Sequence, residues 1–121
     1  MHATPSHSAA ATGLELAVSR EADQIIISLV GELTVANAYL LGGTFCELID
    51  QGHRTFVLDA LQLTSCDGAG WTLLLGVRWR LATISGRLRI ADLGPRLMRW
   101  CRLMDLVEVF ELDTTSRAQP M

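Results

Sequence analysis

RTFVLDALQLTSCDGAGW, the stretch from Arg54 to Trp71, decides how this chain folds. Its first seven residues, Arg54 to Ala60, centre on the apolar Phe56-Val57-Leu58 and predict a buried strand. Leu61 to Cys66 reads as a loop. Asp67 is a good N-cap and precedes Gly68-Ala69-Gly70 and a strongly apolar run to Ala82, so a helix is predicted to open there. Strand, short loop and helix in direct succession make half of a β-α-β unit.

The same alternation extends outward in both directions. Upstream, Leu14 to Val18 alternates as a short strand, Glu21-Ala22-Asp23 turns, and Gln24 to Leu33 (QIIISLVGEL) predicts a second buried strand. From Val35 to Gln51 the period becomes helical, with Leu41, Phe45, Leu48 and Ile49 on one stripe and Gly52 as terminator. Gly42-Gly43 inside that helix costs roughly 1 kcal/mol per residue against alanine, so the pair is either tolerated or leaves room for another backbone. Downstream, Ser85-Gly86 turns and Arg87 to Leu93 predicts a strand. Gly94-Pro95 begins a helix through Met104, with Pro95 at its first position. Val107 to Leu112 (VEVFEL) alternates and predicts a last strand closing the sheet. The order β-β-α-β-α-β-α-β implies a small α/β domain, a mixed sheet flanked by helices, over residues 14–113, with tails at 1–13 and 114–121.

Composition narrows what such a domain does. Half of the 121 residues are hydrophobic, 19% are charged and the mean hydropathy is +0.30, which excludes intrinsic disorder. The longest uncharged stretch, Leu33 to Cys46, has 14 residues, short of the roughly 18 a membrane span needs. Met1 to Gly13 shows neither a basic start nor an apolar block, so no secretory signal is read and a cytoplasmic protein is expected. Three cysteines are too few for a disulfide framework, and each is expected to be a buried, hydrophobe-like thiol. The net charge of −3 divides unevenly. Residues 1–67 carry two Arg and eight acids (−6), residues 68–121 eight Arg and five acids (+3), and there is no lysine.

Catalytic constellations are missing. His2 and His7 lie in the predicted tail, and His53 and Cys66 sit at opposite ends of a strand about 23 Å long. No HExxH, P-loop, GxSxG or paired CxxC motif occurs, and Cys46, Cys66 and Cys101 lack metal-ligand spacing. No enzyme, metal or cofactor is therefore expected. The seven Arg from Arg78 to Arg102 fit wet strand and helix faces, with Arg78, Arg96, Arg99 and Arg102 on solvated helix surfaces, and no nucleic-acid motif accompanies them.

Thr64 to Trp71 (TSCDGAGW) carries the functional interest. A helix starting on three small residues leaves its first N–H groups accessible at the positive end of the dipole, open to an anion or to a partner's backbone. It equally makes a tight strand-to-helix turn. The following helix, with Trp71, Leu73, Leu74, Leu75, Val77, Trp79 and Leu81, is apolar nearly all round, so part of it is either covered by a neighbour or exposed for a partner.

Together these segments resemble the STAS domain, in particular bacterial anti-sigma-factor antagonists. The likeness rests on Gly31-Glu32-Leu33 closing a strand, Gly52-His53-Arg54 before Phe56-Val57-Leu58-Asp59, and Leu63-Thr64 leading to Asp67-x-x-Gly70. Gly86-Arg87-Leu88-Arg89 and the closing Leu106 to Phe110 complete it, in order over about 14–113. The resemblance implies a STAS-like mixed sheet and a partner-switching role in transcription regulation. Such an antagonist binds an anti-sigma factor, usually a serine kinase of the histidine-kinase-like ATPase type, and so releases a sigma factor. Where the family has Asp-Ser-Ser-Gly, this chain has Asp67-Gly68-Ala69-Gly70, and Ala69 at the phosphoacceptor position has no hydroxyl. Thr34 stands where the family has an acid. The usual phosphate switch is thus chemically impossible at Ala69.

Asp67, Gly68, Ala69, Gly70 and Trp71 are then the implied partner-binding residues, with Thr34 and Asn37 beside them. The antagonist would then be constitutively competent, or control could pass to Cys66 and Cys101 as a redox pair, or phosphate to Ser65 or Thr72. Self-association as a homodimer is left open. The alternatives are a structural STAS subunit of a signalling assembly or lipid transporter, with Tyr39 and Leu40 in a permanent interface, and a small-ligand or anion sensor.

Overall fold

The structure, a computed structural model, describes residues 12–112. Its elements are β1 (Leu14–Glu21), β2 (Gln24–Leu33), α1 (Ala38–Asp50), β3 (Thr55–Cys66), α2 (Gly68–Ala82), β4 (Arg87–Ala91) and α3 (Pro95–Leu103). The four strands lie in sequence order, β1 antiparallel to β2 and β2, β3 and β4 parallel. This is the mixed α/β sheet that the sequence predicts.

Burial alternates along β2 and β4, as a sheet covered on one face requires, whereas Phe56, Val57 and Leu58 of β3 are buried in succession. Ile25, Ile27 and Leu29 of β2 and Leu88 and Ile90 of β4 are buried, whereas Gln24, Ile26, Ser28, Arg87 and Arg89 are not. Leu41, Phe45 and Ile49 of α1 and Leu74, Val77 and Leu81 of α2 supply the other side of the core. Phe45 meets Phe56 edge to face, with ring centroids 5.3 Å apart. Gly42 lies against Leu73 of α2, where an added Cβ would come within 3.2 Å of Cδ1, so this glycine serves close helix packing.

Three predicted elements differ. Leu61 to Cys66 continues β3 rather than forming a loop. The β2–β3 register slips between Ser28 and Val30 and again between Gly31 and Glu32, and these irregularities let β3 run on to pair Leu33 with Cys66. Gly31, at φ 115°, sits at the second slip; a Cβ there would stand 2.1 Å from the Gly13 carbonyl oxygen, so only glycine fits. Val35 to Asn37 forms a turn before α1. Val107 to Leu112 is not a strand: Phe110 N donates to Leu106 O and Leu112 N to Val107 O, closing local turns. Its apolar residues still face inward, with Phe110 fully buried, and Ile90 N bonds Phe110 O at 3.1 Å.

Arginines secure this last segment. Arg78 Nε donates to Val109 O at 2.8 Å, and Arg87 pairs through two nitrogens with the Glu111 carboxylate, which it holds below the ordinary carboxylate range. Arg78, predicted to be solvated, is thus half-buried and engaged.

Candidate docking site

Two turns at the carboxyl ends of β2 and β3 build the site, and Asp67 joins them. Its Oδ1 accepts from Gly70 N at 3.0 Å, the N-cap bond predicted for α2. Its Oδ2 accepts from Val35 N at 3.0 Å, and its own N–H donates to Leu33 O. One carboxylate therefore fixes both turns relative to each other. It also occupies the α2 N-terminus, where a bound anion would meet its negative charge, which weighs against the anion-sensor alternative.

Asn37 supports the first turn from below. It is fully buried; its Oδ1 accepts from Thr34 N at 2.9 Å, and its Nδ2 donates to Glu32 O at 2.9 Å and to Thr12 O at 2.8 Å. A buried amide this well satisfied holds the backbone in place and is not a surface that a partner touches. Thr34 Oγ1 accepts from Ala36 N, so this hydroxyl also serves its own turn.

Trp71, expected at the edge of the docking surface, lies in the core at 3% exposure. Its ring stacks on Trp100 of α3, centroids 5.0 Å apart and planes 11° from parallel, with Phe110 6.1 Å away. Gly70 is buried too, and a Cβ on it would strike Cys66 Sγ at 2.7 Å and Leu33 Cγ at 2.9 Å, so its role is close packing of α2 on β2 and β3. What remains at the surface is Asp67 and Gly68, half-buried Ala69 and Thr34, and two residues that the implied set omitted, Val35 and Ala36. Val35 is 75% exposed. The available signal was an apolar side chain in an otherwise small, polar turn between strand and helix.

The surface continues along the helices. Thr72, Leu75, Gly76 and Trp79 follow Gly68 at helical spacing on the outer stripe of α2, with Trp79 71% exposed, and Tyr39 of α1 is 66% exposed. The apolar girdle of α2 thus divides into an inner stripe that packs and an outer one that does not.

The cysteines divide as well. Cys46 is exposed, against expectation, with Arg80 Nη1 3.5 Å from its sulfur. Cys66 is half-buried and Cys101 buried. Burial, with Asp67 and Cys101 adding, pushes the Cys66 thiol up to about 12, and burial pushes Cys101 up to about 11. Such thiols carry almost no thiolate at neutral pH, which weighs against fast redox chemistry at this pair. Cys46 is therefore expected to react with a thiol reagent in the folded chain, while Cys66 and Cys101 react only on unfolding. Because both folded values lie above the ordinary 9.0, their contribution to stability is complete below about pH 9. It is lost as pH rises towards 11–12. Urea titrations of wild type and Cys66→Ala between pH 8 and 11 check this: wild type should lose stability more steeply.

Among the described residues no group of three or more His, Cys, Asp and Glu could hold a metal ion, and no helix is long and apolar enough to cross a membrane. His53 is in the turn before β3, remote from Cys66 at that strand's other end.

The fold and paired turns define a class, and comparison with known proteins gives its family. The family described as "Mlab, STAS domain" matches residues 16–113, and the chain belongs to it. No curated protein matches. Among solved structures the chain is similar to an anti-sigma factor antagonist from Mycobacterium paratuberculosis, with TM-score 0.74 and 19% identity, covering 84% of this chain and 86% of that one. It is also similar to the anti-sigma factor antagonist SpoIIAA in its unphosphorylated form, with TM-score 0.62 and 22% identity over 74% and 82% of the two chains. The phosphorylated form of SpoIIAA, from Bacillus, gives TM-score 0.66 and 21% identity over 82% and 91%.

Proposed function

We propose that this chain is an anti-sigma-factor antagonist that binds its anti-sigma factor through the paired turns and so frees a sigma factor in the cytoplasm. The observation carrying this reading is the Asp67 bridge, which presents Val35, Ala36, Gly68 and Ala69 as one small-residue surface at the carboxyl ends of β2 and β3. Membership of the STAS family and likeness to antagonist folds support the choice of partner. The anti-sigma factor is of the histidine-kinase-like ATPase type, and docking involves no catalysis by this chain.

With alanine at position 69, no phosphate can be placed on that residue. A phosphate would add about −1.5 to −2 charges beside Asp67 on an otherwise uncharged docking patch, so its absence removes the usual electrostatic means of release. Ser65 is half-buried, whereas Thr72 is exposed one turn beyond Ala69 and is the better placed hydroxyl for any displaced modification.

A second reading has one observation in its favour. Tyr39, Leu75 and Trp79 expose apolar surface beside the site, as a permanent subunit of a signalling assembly or lipid transporter would require. Affinity capture with the full chain from source lysate, under reducing and oxidising conditions alike, separates the two. Recovery of a histidine-kinase-like anti-sigma factor is expected; recovery of membrane-transport subunits alone would reverse the assignment.

A further inference from the structure

β1 lies at an edge of the sheet, with β2 on one side and no described strand on the other. The register fixes which of its backbone groups point outward. Leu14 is opposite Gly31, and Glu32 N donates to Gly13 O at 3.0 Å, which makes Leu14–Gly31 a non-hydrogen-bonded pair of the antiparallel ladder. The register then runs unbroken to Glu21–Gln24, so Leu14, Leu16, Val18 and Arg20 direct their N–H and C=O groups away from β2. Their side chains lie on the helix-covered face. Leu14 is buried, Leu16 packs on the core, and Val18 is left 48% exposed at the rim.

We propose that β1 pairs antiparallel with β1 of a second copy of this chain, across a twofold axis perpendicular to the sheet, joining the two sheets into one. Such an axis keeps every side chain on its own face, so even-numbered residues must stand opposite even-numbered ones. The outward-facing residues are all even-numbered, and the two copies therefore offer each other matching donors and acceptors. Two such registers overlap over seven residues of the strand. One puts Val18 on the axis and sets Glu15 opposite the partner's Glu21, a like-charge pair that the symmetry repeats. The other puts Ala17 on the axis and sets Leu16 opposite the partner's Val18, Glu15 opposite the partner's Ser19 and Leu14 opposite the partner's Arg20. Charge selects the second.

In that register each outward residue exchanges two backbone bonds, about eight in all. The exposed Val18 gains an apolar neighbour. A single strand edge buries less than a standard interface, so dissociation constants on the order of tens to hundreds of micromolar are expected. The inference does not depend on the proposed partner.

Sedimentation equilibrium of the full chain tests it, with a concentration-dependent monomer–dimer equilibrium expected. Ala17→Arg places two guanidiniums face to face at the axis and should weaken the dimer at least tenfold, while exposed Ala17 leaves the fold intact. Cysteine placement then reads the register in a Cys46→Ser background. Ala17→Cys sets two sulfurs across a pair about 4.5 Å apart at Cα and should cross-link under mild oxidation. Ser19→Cys sets them about 14 Å apart and should cross-link at least tenfold more slowly. A chain monomeric at millimolar concentration, a dimer indifferent to Ala17→Arg, or equal cross-linking at both positions would overturn the proposal.

Discussion

Trp71→Ala should cost about 3–5 kcal/mol of folding stability, the usual range for emptying a large aromatic site in a core. Trp71 is buried in the first turn of α2, stacks on Trp100 of α3 and approaches Phe110, so this one ring ties α2 to α3 and to the turns beyond it. Aromatic pairs add about 0.5–1.5 kcal/mol beyond area burial, which places the loss toward the upper end. Since domains of this kind have only about 5–15 kcal/mol in total, the variant should show a greatly lowered urea midpoint, with Trp71→Phe retaining much of the loss. A drop below about 1 kcal/mol would mean that the stack contributes little and that Trp71 is free to serve the surface.

Ala69→Glu should reduce affinity for the anti-sigma factor at least 100-fold, about 2.8 kcal/mol, while leaving the fold intact. Ala69 is half-buried in the first turn of α2, where the positive end of the helix dipole offsets part of the repulsion between a new carboxylate and Asp67. In the complex the same carboxylate would be desolvated against small residues with no cation among Val35, Ala36, Gly68 and Thr34 to receive it. Calorimetric titration of wild type and variant, with circular dichroism as the folding control, checks both halves. Unchanged affinity would remove the paired turns from the interface.

The sheet was legible because its signals are local. Gln24–Leu33 has the predicted bounds, and Asp67 caps α2 through the bond its side-chain chemistry predicts. What sequence misread depended on partners distant along the chain. Leu61–Cys66 looks like a loop in isolation, yet β2 slips its register twice and keeps pairing with it. Val107–Leu112 alternates like a strand, yet Glu111 at φ 54° and the local turn bonds fold it back, its carboxylate held by Arg87. Of the candidate site, sequence indicated the segments but not which of their residues reach the surface. Asn37, Gly70 and Trp71 stand in the right place but face inward, since side-chain direction at the first turn of a helix depends on which stripe meets the sheet. Val35 was missed because its exposure follows from the Asp67 bridge, a bond between residues 32 positions apart.

The most direct measurement is titration of the purified chain with the histidine-kinase-like anti-sigma factors of the source organism, before and after incubation with each kinase and ATP. One of them should bind one to one with an affinity unchanged by the incubation, and phosphopeptide mapping should find no phosphate on the chain. Failure of every such factor to bind, or binding lost to a phosphate mapped at Ser65 or Thr72, would contradict a docking site that has no phosphate switch.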